Sequence, residues 1–169
     1  MEKRIPERQR AIRLADDLPE ERQRECGRCI LCCKIMAVPQ IDKPELTWCK
    51  YLDRRRKYCK KYDVRPKACR EFNCLWLMGM FGENDSPENT NVVFSVNNPK
   101  GDLIQCIIAF ELYAGAANEG RAKRIIQRVV LKGVPVIIVY GDGRNLLLPD
   151  GVKIEQVIET DNAPTEPTD

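Results

Sequence analysis

The sequence predicts an α+β fold in which a cysteine-rich segment is joined to a small layer of strand, strand, helix, strand and strand. Three observations predict it. Eight of the nine cysteines fall between residues 26 and 74, where the few apolar residues show no sustained period. Two apolar runs, "NVVFSVN" at 91–97 and "LIQCIIAFEL" at 103–112, flank the turn chemistry of "NNPKGD". A helical apolar spacing then precedes a further strand, turn and strand.

In chain order, residues 1–25 balance seven basic against seven acidic side chains. Their composition favours helix with a break at Pro19, and Ile5, Ile12, Leu14 and Leu18 are too sparse for a buried one, so a charged surface helix or two is expected. No apolar run there can serve as a signal peptide, and none later reaches the roughly eighteen residues of a membrane span. The expectation is a soluble, cytoplasmic protein without membrane contact. Residues 26–77 form the cysteine region, with little to collapse around except its cysteines.

Residues 90–160 form the α+β region. The runs at 91–97 and 103–112 make a hairpin. Ala122, Ile125, Ile126, Val129 and Val130 recur at i, i+3, i+4, i+7 and i+8 with Arg121, Lys123, Arg124 and Arg128 between them, an amphipathic helix that Gly133 ends. "VPVIIVY" (134–140), "GDGRN" (141–145) and "LLLP" (146–149) read as strand, turn and strand, and "DG" at 150–151 opens a short last element. "GDGRN" lacks the length and the Lys-Ser pair of a phosphate loop, so it is a hairpin turn. Residues 161–169 are a polar, Pro-containing tail.

At 169 residues the chain can bury a core without covalent staples. A reducing compartment leaves cysteines as thiols free for metals, whereas a secreted disulfide framework, the rival reading, leaves one of nine unpaired. The chain has no histidine. Any zinc, iron or copper site is therefore built of thiolates, with Asp or Glu as the only helpers, and histidine-containing zinc, Cys–His and Ser–His catalytic patterns are excluded.

The candidate ligands are Cys26, Cys29, Cys32, Cys33, Cys49, Cys59, Cys69 and Cys74. Eight is twice the ligand number of a closed zinc site or of an iron–sulfur cluster, so two sites, or one with extra cysteines, both fit. Cys26-x2-Cys29 and Cys29-x2-Cys32 have the spacing at which a turn aims two sulfurs at one centre. Cys33 diverges from its neighbour Cys32, toward a second centre or a bridging position. The run matches the first three ligands of a bacterial ferredoxin, but there the fourth follows after three residues and precedes proline, while here Cys33 and Lys34 come at once. Thiolate-only ligation suits Zn2+ and an iron–sulfur cluster alike. The segment is then a metal-stabilised one. Cys106 stands apart among Ile104, Ile107 and Ile108 and is expected in the core.

Charge is segregated with the cysteines. Residues 26–74 carry thirteen basic side chains against five acidic, and residues 75–169 carry eight against thirteen. Cations lower thiol pKa values and offset a thiolate-rich centre, which explains this excess internally. The alternative is a nucleic-acid patch built on Arg54, Arg55, Arg56, Lys57, Lys60 and Lys61, against which the whole-chain net charge of only +3 argues.

The pattern Cys26-x2-Cys29-x2-Cys32-Cys33, then Cys49-x-Tyr51-Leu52, then Cys59-x2-Tyr62-x2-Arg65-Pro66-x2-Cys69-Arg70-x-Phe72-x-Cys74 resembles the YkgJ-type cysteine-cluster family. The resemblance covers residues 26–74 and implies a zinc- or iron-chelating domain of undefined role. Where that family tends to have proline before its last cysteine, this chain has Asn73. Pro66 restricts Arg65 and sets the approach of Cys69. Arg65 and, more so, Arg70 are candidate donors to sulfur, with solvation the competing role. Tyr62, Phe72, Leu75, Trp76 and Leu77 are expected to shield the centre from water.

Function then reads as metal binding by eight cysteines, the metal ion being the first partner. A zinc-stapled basic module contacting nucleic acid or an acidic protein is the alternative. Enzymatic activity ranks last, since neither paired carboxylates nor a nucleophile motif accompany Asp53 and Asp63.

Overall fold

A computed structural model describes residues 18–97, 105–152 and 157. Both helices and strands are present, in an α+β arrangement. The expected helix over 5–25 lies mostly outside the described residues, and 18–25, which lie within them, run as bends without helix. Pro19 and the sparse apolar residues are the reason. This segment docks instead by its backbone, the Gln23 and Arg24 amides both donating to the Leu77 carbonyl at 2.9 and 3.1 Å.

In the cysteine region the elements are short: α1 (Cys32–Ile35), a two-stranded antiparallel ribbon of β1 (Leu52–Asp53) and β2 (Tyr58–Cys59), and α2 (Lys67–Glu71). One turn, α3 (Pro87–Thr90), leads into β3 (Val92–Val96). Then come β4 (Ile107–Glu111), α4 (Gly120–Leu131), β5 (Val136–Tyr140) and β6 (Gly143–Leu147). The strands form one sheet in the order β3-β4-β5-β6, with β3 and β6 antiparallel to their neighbours and β4 parallel to β5. The parallel pair requires a crossover, and α4 supplies it.

Residues 97–102 lie mainly outside the described residues, so the hairpin turn itself is not described, but β3 and β4 pair from Val92↔Glu111 to Val96↔Ile107 as the two runs predict. Helix α4 begins and ends where its apolar spacing does. Gly133, at φ +86°, closes it: its amide donates to Val130 at 2.9 Å and the Val134 amide to Val129 at 3.2 Å, satisfying carbonyls the helix would orphan. The β5–β6 turn is tighter than predicted. Gly143, Arg144 and Asn145 belong to β6 and not to the turn, because Tyr140 pairs directly with Gly143 and only Gly141 and Asp142 reverse the chain. Gly141, at φ +52°, takes the backbone strain there.

Alternation along the strands divides the core. Val92, Phe94, Ile107, Ala109, Val136 and Ile138 face α4, whose Ala122, Ile125 and Ile126 are buried against them. On the opposite face, Val93 with Phe110 and Leu112 meets Leu31, Ile35, Cys74 and Leu77 of the cysteine region. Ile137 and Val139, with Cys106, are covered by Val157. Both faces are thus buried, which is why the strands read as near-continuous apolar runs.

The cysteine region therefore does have an apolar cluster of its own, contrary to the expectation of little beyond cysteines. Its members come from three short stretches, so no period announces them. Ile125→Ala is expected to lower the unfolding free energy by about 3 kcal/mol, and Leu131→Ala, at a residue 87% exposed, by less than about 0.5 kcal/mol, in urea melts.

Candidate metal centre

Each candidate ligand is placed by a short local device. Gly27, at φ +53°, allows the turn in which the Cys29 amide donates to the Cys26 carbonyl at 2.9 Å. Cys32 and Cys33 open α1, where successive residues point about 100° apart. The two thiols nonetheless share a hydrogen bond, so Cys33 does not face away from Cys32 as the sequence predicts. Cys49 is brought beside them when its amide donates to Cys33 at 3.0 Å, and the ribbon register Leu52↔Cys59 adds Cys59. Pro66 caps α2 and its carbonyl accepts the Cys69 amide at 3.0 Å, which is how it sets the approach of that cysteine. Cys74, buried, begins the turn through Gly79 and accepts the Met78 amide at 3.2 Å.

All eight line one cavity of about 1030 Å³, and all carry free thiols. Seven are half-buried and Cys74 is buried. Cys106 is the exception the sequence anticipates: it is fully buried among Ile137, Val139 and Val157 and does not line the cavity.

The sulfurs sense one another in two sets. Burial pushes the Cys29 thiol up to about 12; the Leu31 amide draws it back, and Cys32, Cys74 and Cys26 push it up again. Cys74 is raised by burial first, against the Leu77 amide, with Cys26, the Trp76 amide and Cys32 contributing less. Cys69 belongs to the other set, raised by burial and then by Cys32, Cys49 and, least, Cys59. Cys32 stands between the sets and is held well above its ordinary range, first by the hydrogen bond with Cys33 and then by burial. Among the described residues no three Cys, Asp or Glu side chains stand grouped so as to hold one ion. The eight share a cavity and a field, not a finished ligand shell.

Donors and cations of the chain favour the charged sulfur. Backbone N–H groups of Leu31, Cys33, and Trp76 with Leu77 act on Cys29, Cys32 and Cys74 respectively. Arg22 and Arg65 act on Cys26, Arg65 on Cys69, and Lys43 on Cys32. Lys43 had no signal in the sequence. It is buried, its ammonium donating to the carbonyls of Met36, Lys34 at 3.4 Å and Pro44 at 3.1 Å, and it faces Cys49, Cys33, Cys32 and Cys69. Burial lowers its pKa and those four sulfurs oppose the change.

Arg65 acts on sulfur by charge and not by the expected hydrogen bond. It lines the cavity, donates to the Tyr62 carbonyl at 2.9 Å and lies 3.6 Å over the Tyr62 ring. Arg70 does not line the cavity: its side chain is exposed, and only its carbonyl is used, by Arg22 at 3.2 Å. It follows Cys69 on α2 by one residue, which turns it away. Of the expected shield, Tyr62, Phe72 and Leu77 line the cavity. Leu75 belongs to the sheet core, and Trp76, partly buried, donates to the Glu83 carbonyl at 3.1 Å under the Arg24 guanidinium. Asp53 accepts the Arg56 amide at 2.9 Å within the ribbon turn, and Asp63 is exposed.

Lys43→Met strips donors from buried carbonyls and is expected to cost about 3 kcal/mol in denaturant unfolding, while the exposed Lys60→Met costs less than about 0.5 kcal/mol. Cys106 supplies a pH test. Its burial raises the thiol from 9.0 to about 11, so the folded state holds the proton longer than the unfolded chain. That stability is fully present below pH 9 and is lost as pH rises through about 11. Melts of the wild type should fall relative to Cys106→Val across that window and run parallel below it.

No protein-family model matches the chain, and no curated protein or solved structure matches it either.

Proposed function

We propose that this chain is a metal-binding protein whose Cys26, Cys29, Cys32, Cys33, Cys49, Cys59, Cys69 and Cys74 hold zinc or an iron–sulfur cluster, as the resemblance to the YkgJ-type family implies. One observation carries the reading: eight free thiols from separate stretches line a single cavity, and the ninth is sequestered elsewhere. Chance placement of a reactive thiol follows no such division. The donor set, all sulfur, fits soft or borderline cations and excludes a hard-cation site.

The two sets of mutually sensed sulfurs support two centres over one. Cys26, Cys29 and Cys74 belong to the first and Cys49, Cys59 and Cys69 to the second, with Cys32 and Cys33 as the fourth ligands on either side. A bound cation supplies the charge that lets neighbouring sulfurs ionise together, and the sulfurs close inward on it. The chain's own residues do the rest: Leu31, Trp76 and Leu77 point N–H groups at sulfur, Lys43 and Arg65 balance charge, and Phe72, Met36 and Leu77 exclude water.

Metal release should unfold the cysteine region, because thiolate binding of about 10–16 kcal/mol rivals the whole stability of a domain. Anaerobic purification and elemental analysis should find metal bound to the wild type, lost in Cys29→Ser with a lowered melting temperature, and retained in Cys106→Ala. Unchanged metal content in Cys29→Ser, or none in the wild type, overturns the reading. A colourless protein marks zinc, and visible absorption that bleaches on reduction marks a cluster.

A further inference from the structure

The thirteen cations of residues 26–74 do not all serve the cavity. Those acting on the sulfurs are Lys43, Arg65 and, from outside the segment, Arg22. Arg54, Arg55 and Arg56 occupy the tip of the β1–β2 ribbon, all exposed, with Lys60 and Lys61 exposed just beyond β2. Among the described residues none of these five has an acidic partner, whereas Lys57 of the same turn pairs with Glu88. Five unpaired cations within eight residues repel one another. On the fold's side of the ribbon the Trp48 ring under Arg54 offsets that only in part.

Aromatic rings are interleaved with them. Tyr58 is 45% and Tyr62 50% exposed, and Trp48 lies 4.7 Å beneath the Arg54 guanidinium. Exposed tyrosines gain little from water, and a ring flanked by cations offers a face to a base and charge to its phosphate. An acidic peptide would use the cations and leave the rings idle.

We infer that the β1–β2 ribbon is a binding surface for single-stranded nucleic acid, with Arg54, Arg55, Arg56, Lys60 and Lys61 contacting phosphates and Tyr58 stacking on a base. Tyr58 and Lys61 also line the cysteine cavity, so the surface borders it, while the three arginines stand outside it. Phosphates lie along a strand at a spacing that consecutive arginines can follow, and three guanidiniums at a turn tip spread to meet them.

The test uses the as-purified full chain and fluorescence anisotropy of a labelled single-stranded RNA of about 20 nucleotides. Five phosphate contacts predict that affinity falls roughly 100-fold between about 50 and 200 mM salt. Arg54→Gln/Arg55→Gln/Arg56→Gln should weaken binding at low salt and cut that salt effect to less than roughly tenfold, with metal content and melting unchanged. Tyr58→Ala should weaken RNA binding by roughly tenfold and leave polyglutamate binding alone. No binding at low salt, binding that the triple variant retains, a duplex that competes better than the single strand, or polyglutamate that competes equally would each overturn the inference. The last two outcomes point to a duplex or to an acidic protein instead.

Discussion

Removal of the cavity sulfurs from water is the constraint on which the rest depends. A thiol on the wall of a shared cavity ionises only against the loss of water and against every neighbour already charged, so Cys29 is pushed up to about 12 by burial, with neighbouring thiolates adding to it. The fold answers with a sparse set of fixed countercharges: amide N–H groups, one buried ammonium and two guanidiniums. These oppose the shift without abolishing it. What remains is a standing preference for a cation in the middle, which is the physical content of the proposed function.

The sheet makes that arrangement rigid on one side. Residues 72–78 form its hinge: Phe72, Cys74 and Leu77 turn to the cavity, while Leu75 turns into the sheet core and its amide donates to the Phe94 carbonyl at 2.9 Å. That bond also occupies the free edge of β3, an edge strand otherwise open to pairing. Cys74 is consequently the best-buried of the eight and the one tied most directly to the sheet. The other seven cysteines hang from short loops, a two-residue ribbon and single helical turns.

What could be read in the residues follows from how local each signal is. Helix α4 was legible because its apolar spacing, basic flank and Gly133 all lie within thirteen or so consecutive residues, and helical period needs no tertiary information. The strands were legible for the same reason, though "GDGRN" misled by three residues: Gly143, Arg144 and Asn145 look like turn residues, yet the tighter Gly141–Asp142 reversal leaves them in β6. In the site, Cys32 and Cys33 share a hydrogen bond where divergence was expected, but the cysteines themselves were plain. Lys43 was not. A buried lysine is made by three carbonyls converging on it, two from the C-terminal end of α1, and no residue type in the sequence marks where they meet.

Arg70 and the ribbon arginines show why counting charge by segment fails. An excess of cations across 26–74 matches the number of cysteines, and the match invites the idea that one neutralises the other. Distance decides otherwise. A Coulombic interaction between exposed groups fades within about 10 Å at ordinary salt, so an arginine at the ribbon tip contributes little to a sulfur on the cavity wall. The lysine held on three carbonyls acts on four of them at once. The same total charge is therefore two unlike populations: Lys43, buried, and Arg65, half-buried, which act on sulfur, and a larger exposed group centred on the ribbon tip. Only the second is free to meet a partner.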